Sequence, residues 1–324
     1  MTDAAHITPS WLEHFPVPMF AVTMGLAGLT LALHDGETAL GLAHGVSHAA
    51  FWGTAAVFVL IALTYAAKAL THPQAVMAEW NHPVRLSFFP AISISLLLIG
   101  TAALHAAPGL ALWLWLPGTV LQFVLTLAVI SGWISARAFQ TGALNPGWFI
   151  PAVGNVIVPI AGVALGYAEV SWYFLSVGLI FWLVLLTLVM NRLMFHDPMP
   201  GRLQPSLVIL IAPPAVAFIA WTRLHGGQVD DMARILLNVA YFFTMLVALN
   251  LPRILKLPFV VSFWALGFPF AAVTIASFRF AKATGSAVHQ GIGLLLLAVL
   301  VVIMTGLVLR TLRAILRHEL FVPE

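Results

Sequence analysis

The sequence predicts an all-α integral membrane protein with ten transmembrane helices. Three observations carry that expectation: the composition, the spacing of the charged residues and the placement of proline. Of the 324 residues, 61% are hydrophobic and 8% charged, whereas a soluble domain is about 25% charged. The mean hydropathy is +1.02. These values exclude an ordinary soluble enzyme, a disordered chain and a nucleic-acid-binding domain. The net charge of +3 rests on few residues, so their placement matters more than their sum. Cysteine is absent, which removes disulfides, thiolate metal sites and cysteine nucleophiles.

A helix needs about 20 apolar residues to cross a hydrocarbon core. Charge-free intervals run 14–34, 38–67, 86–136, 138–168, 170–191, 203–222, 235–252, 257–278 and 283–309. The leader before the first interval carries Asp3 and Glu13 and no Lys or Arg, unlike a cleaved signal peptide, so span 1 is expected to be retained. The interval 86–136 is long enough for two crossings. It divides at His105-Ala-Ala-Pro108-Gly109, a turn signal between apolar runs. The expected spans are 16–34, 46–67, 87–105, 110–135, 148–168, 170–191, 205–223, 235–252, 259–279 and 287–309, in one membrane domain over 1–324. Apart from Arg223 and Arg279, the last residues of spans 7 and 9, no span as drawn contains Asp, Glu, Lys or Arg.

With an even number of spans, both termini share one side. That side collects ten basic residues: Lys68, Arg85, Arg137, Arg192, Arg202, Arg253, Lys256, Arg310, Arg313 and Arg317. The other side collects four: Arg223, Arg234, Arg279 and Lys282. Cytoplasmic loops carry the basic excess, so the termini are expected in the cytoplasm.

Proline alternates. Pro16 and Pro18 fall in span 1, Pro90 in span 3, Pro151 and Pro159 in span 5, Pro213 and Pro214 in span 7, and Pro269 in span 9. Among even spans only Pro117 is interior, while Pro252 ends span 8. Proline removes a donor and kinks a helix, and the released carbonyls need protein partners or a cavity. Kinked odd helices alternating with plain even ones suggest five hairpins, with odd helices inside and even helices facing lipid. Spans 6 and 10 read as lipid-facing. Thr23, Gly25 and Gly28 in span 1, Ser93 and Ser95 in span 3, and Gly154 and Asn155 in span 5 suit an inner position.

Several chemistries find no support. No buried acid marks a proton-coupled pump. The twelve histidines, His44 and His48 at i, i+4 among them, fall at span ends or in loops, and no metal or cofactor is expected. No catalytic motif is present, so the protein is not expected to be an enzyme. Trp113, Trp115, Trp133 and Trp148 read as an interfacial belt.

Four segments carry a family resemblance. Asn145-Pro-Gly-Trp148-Phe-Ile-Pro151-Ala-Val-Gly154-Asn155-Val-Ile-Val-Pro159 resembles span 5 of the TehA/SLAC1 family, which includes bacterial tellurite-resistance/dicarboxylate transporters and plant slow anion channels. His82-Pro83-Val84-Arg85, Ala212-Pro213-Pro214-Ala215-Val216 and Gly267-Phe268-Pro269 agree in their expected places. The resemblance spans the chain and is nearest to the bacterial TehA branch. Little sequence follows span 10, so the regulatory tails of the plant channels are not expected.

The resemblance implies a quasi-five-fold ring of odd helices around a central pore, a homotrimer with one pore per subunit in the bacterial inner membrane, and passive conduction of small inorganic or organic anions. It also implies a phenylalanine plug in span 9, which Phe268 matches, with Gly267 and Pro269 as the gate hinge and Pro18, Pro90, Pro151, Pro159, Pro213 and Pro214 as pore-helix kinks. Arg85, Arg202 and Arg253, near the cytoplasmic ends of odd spans, are candidates for attracting anions to the mouth, and equally for setting topology. Two alternatives stay open: a secondary carrier for C4-dicarboxylates or other organic anions, and an exporter of toxic oxyanions or drugs.

Overall fold

The computed structural model describes residues 11–135, 139, 141–317 and 319–321. Among these residues the chain is helical throughout, with no strand. Nine helices are long and apolar enough to cross a membrane: α1 (Val17–Leu40), α2 (Gly45–Thr71), α3 (Arg85–Ala106), α4 (Pro108–Ile134), α6 (Ala168–Phe195), α7 (Gly201–Leu224), α8 (Asp231–Ile254), α9 (Val261–Thr284) and α10 (Ala287–Leu316). A shorter apolar helix, α5 (Pro146–Gly162), supplies the remaining expected span. The divide between α3 and α4 is the single residue Ala107, next to Pro108. Asp3 and Arg137, used in reading the leader and the basic excess, lie outside the described residues.

The helices are arranged in two layers. In α1, α3, α7 and α9 the buried share of the apolar stretch is 67, 89, 83 and 83%, against 22–33% in the even helices. Every residue of α5 is buried. The buried helices form a closed ring: α1 packs on α3, α3 on α5, α5 on α7, α7 on α9, and α9 back on α1. Each even helix packs on the odd helix before it in the chain and also touches the odd helix after it, with α10 returning to α1. The five-hairpin ring expected from the proline pattern is the observed architecture.

Proline lies where the odd helices change geometry. Each odd helix opens with 3-10 turns, at Val17–Met19, Arg85–Phe88, Pro146–Trp148, Gly201–Ile211 and Val261–Leu266, and then becomes α-helical. No even helix does so. Pro90 precedes the α-helical part of α3, while Pro213, Pro214 and Pro269 lie in the first α turn of α7 and α9. These prolines fix where α geometry begins; they do not bend a continuous α-helix. Pro18 lies in the opening 3-10 turn of α1. In α5 the 3-10 form returns at Gly154–Ile157, between Pro151 and Pro159. With about 2.0 Å rise per 3-10 residue and about 1.5 Å per α residue, α5 still spans roughly 29 Å.

The irregular backbone of α5 is hydrogen-bonded by its neighbours. The Pro151 carbonyl accepts from Gln122 Nε2 at 3.1 Å and Thr126 Oγ1 at 3.0 Å. Ser93 donates to Gln122 Oε1 at 2.7 Å, and the Trp115 indole donates to the Val158 carbonyl at 2.9 Å. Two expectations are thereby corrected. Helix α4 is not plain, because it carries a buried polar seam that serves α5. Trp115 (1% exposed) and Trp148 (stacked on Trp133 at 4.5 Å) are buried structural rings and not an interfacial belt. Trp113, 77% exposed, keeps the interfacial reading.

The first and last described segments lie on one face, where Phe321 meets the Phe15 ring at 5.2 Å. Here a nine-residue helix, Pro73–Asn81, brings Glu79 beneath the start of α1. Glu79 accepts from the Val17 N–H at 3.2 Å and the Tyr65 hydroxyl at 2.8 Å, and pairs with Lys68 Nζ at 3.2 Å. Lys68 also donates to the Phe15 carbonyl at 2.8 Å. Both charged side chains are 2% exposed. On the opposite face Asp230 caps α8, accepting from the Ala233 N–H and the Trp221 indole. Those two donors, the backbone one foremost, hold its carboxyl below the usual range.

Two outcomes follow. Glu79→Ala leaves the Lys68 ammonium buried without its counter-ion and will lower stability by about 3–5 kcal/mol, the cost of breaking a buried pair; denaturant titration in detergent micelles measures it. The Asp230 cap is fully present above pH about 4, the ordinary carboxylate value, and is lost as pH falls through its lowered one. A Trp221 fluorescence titration will therefore show a midpoint below that value, which Asp230→Asn abolishes.

Candidate functional site

The axis of the ring narrows to an apolar throat. Leu31 of α1, Leu98 and Thr101 of α3, Ile160 of α5, Val216 and Ile219 of α7, and Phe268, Ala272 and Ile275 of α9 enclose a cavity of about 10 Å³. That is room for about one water. The Thr101 hydroxyl donates to the Leu97 carbonyl of its own helix at 2.8 Å, so its hydrogen is not offered to the throat. Phe268 is 7% exposed.

Phe268 stands where α9 changes from 3-10 to α geometry. The preceding 3-10 turn is tied to α10 by Trp264, whose indole donates to Thr311 Oγ1 at 2.9 Å. Gly267 has φ −64° and ψ −65°, ordinary right-handed values. Its reason is closeness, because a Cβ there would come within 2.9 Å of the Gly25 backbone. Gly28 of α1 faces Phe268 directly: a Cβ there would meet Ala271 Cβ at 2.8 Å and the Phe268 ring at 3.2 Å. Glycines of α1 thus let α9 lie against it and fix the space left to the Phe268 ring.

Beyond the throat, on the face opposite the chain ends, a vestibule of about 880 Å³ opens between the C-terminal ends of the odd helices. Asp35 and His34 of α1, His105 of α3, Arg223 of α7, and Arg279 and Lys282 of α9 line it. Arg279 also lines the throat cavity. Its Nε lies 3.3 Å from Asp35 Oδ2, both side chains being 18% exposed. His34 stacks on His105 at 4.0 Å and on His44 at 4.2 Å. Glu37 accepts from the Val46 N–H at 2.9 Å, anchoring the start of α2.

Several inner helices run on past the charge-free intervals. Helix α1 runs on to Leu40 and carries Asp35 and Glu37, while α7 and α9 carry Arg223 and Arg279 within their length. The first charge after an apolar run marks the end of the hydrocarbon stretch, not the end of the helix. Of the three arginines named for the mouth, Arg85 lies 3.9 Å from Glu79 on the face of the chain ends. Arg202 and Arg253 are exposed. None of the three lines the throat or the vestibule. Arg223, Arg279 and Lys282 of the vestibule count in the sequence only as topology markers. Helical spacing gave a signal, since Asp35 and Arg279 each lie one or two turns beyond an inner-helix apolar face.

Comparison with known proteins gives a consistent family. Residues 14–312 match the SLAC1 family, described as a voltage-dependent anion channel. The chain is similar to S-type anion channel SLAH2 of Arabidopsis thaliana, 27% identical over 94% of this chain and 59% of that one. It is similar to the tellurite resistance protein TehA homolog of Haemophilus influenzae, 26% identical over 99% of both chains. Guard cell S-type anion channel SLAC1 of Arabidopsis thaliana is 26% identical over 84% of this chain and 51% of that one. The chain thus spans between half and three fifths of these plant channels.

The contact between Gly28 and Phe268 gives a test of throat packing. Gly28→Ala will cost about 1–3 kcal/mol by overpacking. Gly53→Ala on α2, where an added Cβ meets nothing within 4 Å, will not destabilise. Thermal unfolding of the two variants in detergent separates them.

Proposed function

Because the chain belongs to the SLAC1 family of voltage-dependent anion channels, we propose that it is a passive anion channel whose path follows the axis of the odd-helix ring and is closed by Phe268. The observation that carries this reading is the throat. All five buried helices contribute to one apolar constriction, with Phe268 in its wall and a basic vestibule directly beyond. An apolar constriction of this size excludes water and with it a hydrated ion. Moving the Phe268 ring opens the path, and Gly267 with Pro269, at the 3-10 to α junction, is the hinge. The remaining prolines of the odd helices hold the ring geometry. With walls this apolar, selectivity follows the cost of dehydration, so nitrate passes better than chloride and chloride better than fluoride.

The basic excess supports the chain ends facing the cytoplasm, in a bacterial inner membrane. There Arg85, Arg202 and Arg253 enrich anions at the inner mouth and help set topology. The whole chain acts as one channel domain, assembles as a homotrimer with a pore in each subunit, and carries no cofactor and no catalytic function. Resistance to tellurite is proposed as a phenotype of anion permeation, on the similarity to the TehA homolog.

One observation favours a second reading. A carrier for C4-dicarboxylates needs fixed cations along its path, and Arg223 and Arg279 stand at the outer end of this one.

Currents through the reconstituted protein decide between them. Phe268→Ala is expected to raise conductance by at least about tenfold, equivalent to about 1.4 kcal/mol off the barrier, with reversal potentials set by the anion gradient and nitrate ahead of chloride. Silent membranes with saturable, proton-dependent malate accumulation would replace the channel with the carrier.

A further inference from the structure

The vestibule is unbalanced in charge. Arg223, Arg279 and Lys282 face one carboxylate, Asp35. Two cations are therefore left over in a recess that the C-terminal ends of the odd helices enclose. Among the described residues, Asp35 on Arg279 is the one ion pair that either arginine makes. The Nε atoms of Arg223 and Arg279 are buried and donate no hydrogen bond within the protein; Arg279 Nε only faces Asp35 Oδ2 at 3.3 Å as an ion pair. Uncompensated charge of this kind is costly unless an anion fills the space.

We infer that the vestibule is an anion-docking site for small planar oxyanions and carboxylates, with Arg223 and Arg279 as its ligands and Asp35 as a tethered competitor. The inference rests on reading the chain as an anion-handling protein, but not on conduction. A guanidinium offers two parallel N–H donors at the spacing of a carboxylate or nitrate edge. Asp35 already sits on the Nε edge of Arg279, as an incoming anion would. When the site is empty it lowers the cost of the cluster, and when an anion arrives it must be outcompeted. Arg279 bounds both cavities, so an anion held there waits at the outer end of the throat. Phe268 lies eleven residues earlier on the same helix, about 16 Å away at 1.5 Å per residue.

Thermal-shift titrations of the full chain in detergent, with sodium nitrate and sodium malate at fixed ionic strength, test this directly. A ligand that binds the folded state raises its stability with concentration, so an apparent Kd is obtained for each variant. Asp35→Asn is expected to tighten nitrate and malate by about tenfold. Arg223→Gln and Arg279→Gln are each expected to weaken them by about tenfold or more, the range of one charge-assisted hydrogen bond. Arg279→Lys keeps the charge and is expected to keep chloride binding while losing the preference for nitrate and malate. Unchanged affinities in the Gln variants, weaker binding in Asp35→Asn, or a retained preference in Arg279→Lys would each overturn the site. Docking without current would overturn the channel and leave the site standing; current without docking would do the reverse.

Discussion

A peptide group without a hydrogen-bond partner is costly in hydrocarbon, so non-helical or loosened backbone is tolerated only where protein or a cavity covers it. Among the described residues the inner helices have such backbone in the 3-10 turns that open α1, α3, α5, α7 and α9 and in Gly154–Ile157 within α5. Most of the rest of the molecule answers that one constraint. The loosened helices are inside, the regular ones outside, and α4 spends Gln122 and Thr126 on the Pro151 carbonyl. Where the odd helices meet, the side chains left facing the axis are mostly aliphatic, with Phe268 among them, and the throat results. The same segregation that protects the backbone from lipid produces a path through the middle.

Much of this arrangement was legible because it is written in residue types with strong local effects. Proline alternation separated inner from outer helices before any contact was known. Charge-free intervals found ten spans. What they could not find was how far a helix continues once it has left the hydrocarbon. Arg223 and Arg279 therefore count in the sequence only toward topology, although the ends of three inner helices bring them together with Asp35. The Glu79 and Lys68 pair escaped because its partners come from three separate segments, and only packing makes them neighbours. Trp115 was misplaced because indole at a span end suits an interface, while here its N–H satisfies the Val158 carbonyl.

The two ends of the path differ in chemistry. On the face of the chain ends, charge is consumed internally: Glu79, Lys68 and Tyr65 satisfy each other and the start of α1. On the other face, charge is left facing open space. A membrane protein bears the desolvation cost of buried charge only where the charge is paired or used. The first cluster is paired and fixes structure; the second is the one with capacity to interact with solutes. Between them lies a mostly apolar throat, with Thr101 and Arg279 its only polar lining residues among those described.

The ring closes where α9 meets α1, through Gly25, Gly28 and Gly267, residues separated by most of the chain. During synthesis the N-terminal hairpins enter the membrane first, and α1 must then wait, its small-residue face uncovered, until the ninth helix arrives. The throat does not exist before that moment, because one fifth of its wall is missing. A ribosome-bound fragment therefore offers the membrane a set of hairpins and no conduit. Leakiness and completion are coupled through the same seam, so a chain that stalls before its last hairpin is an assembly problem and not an open hole.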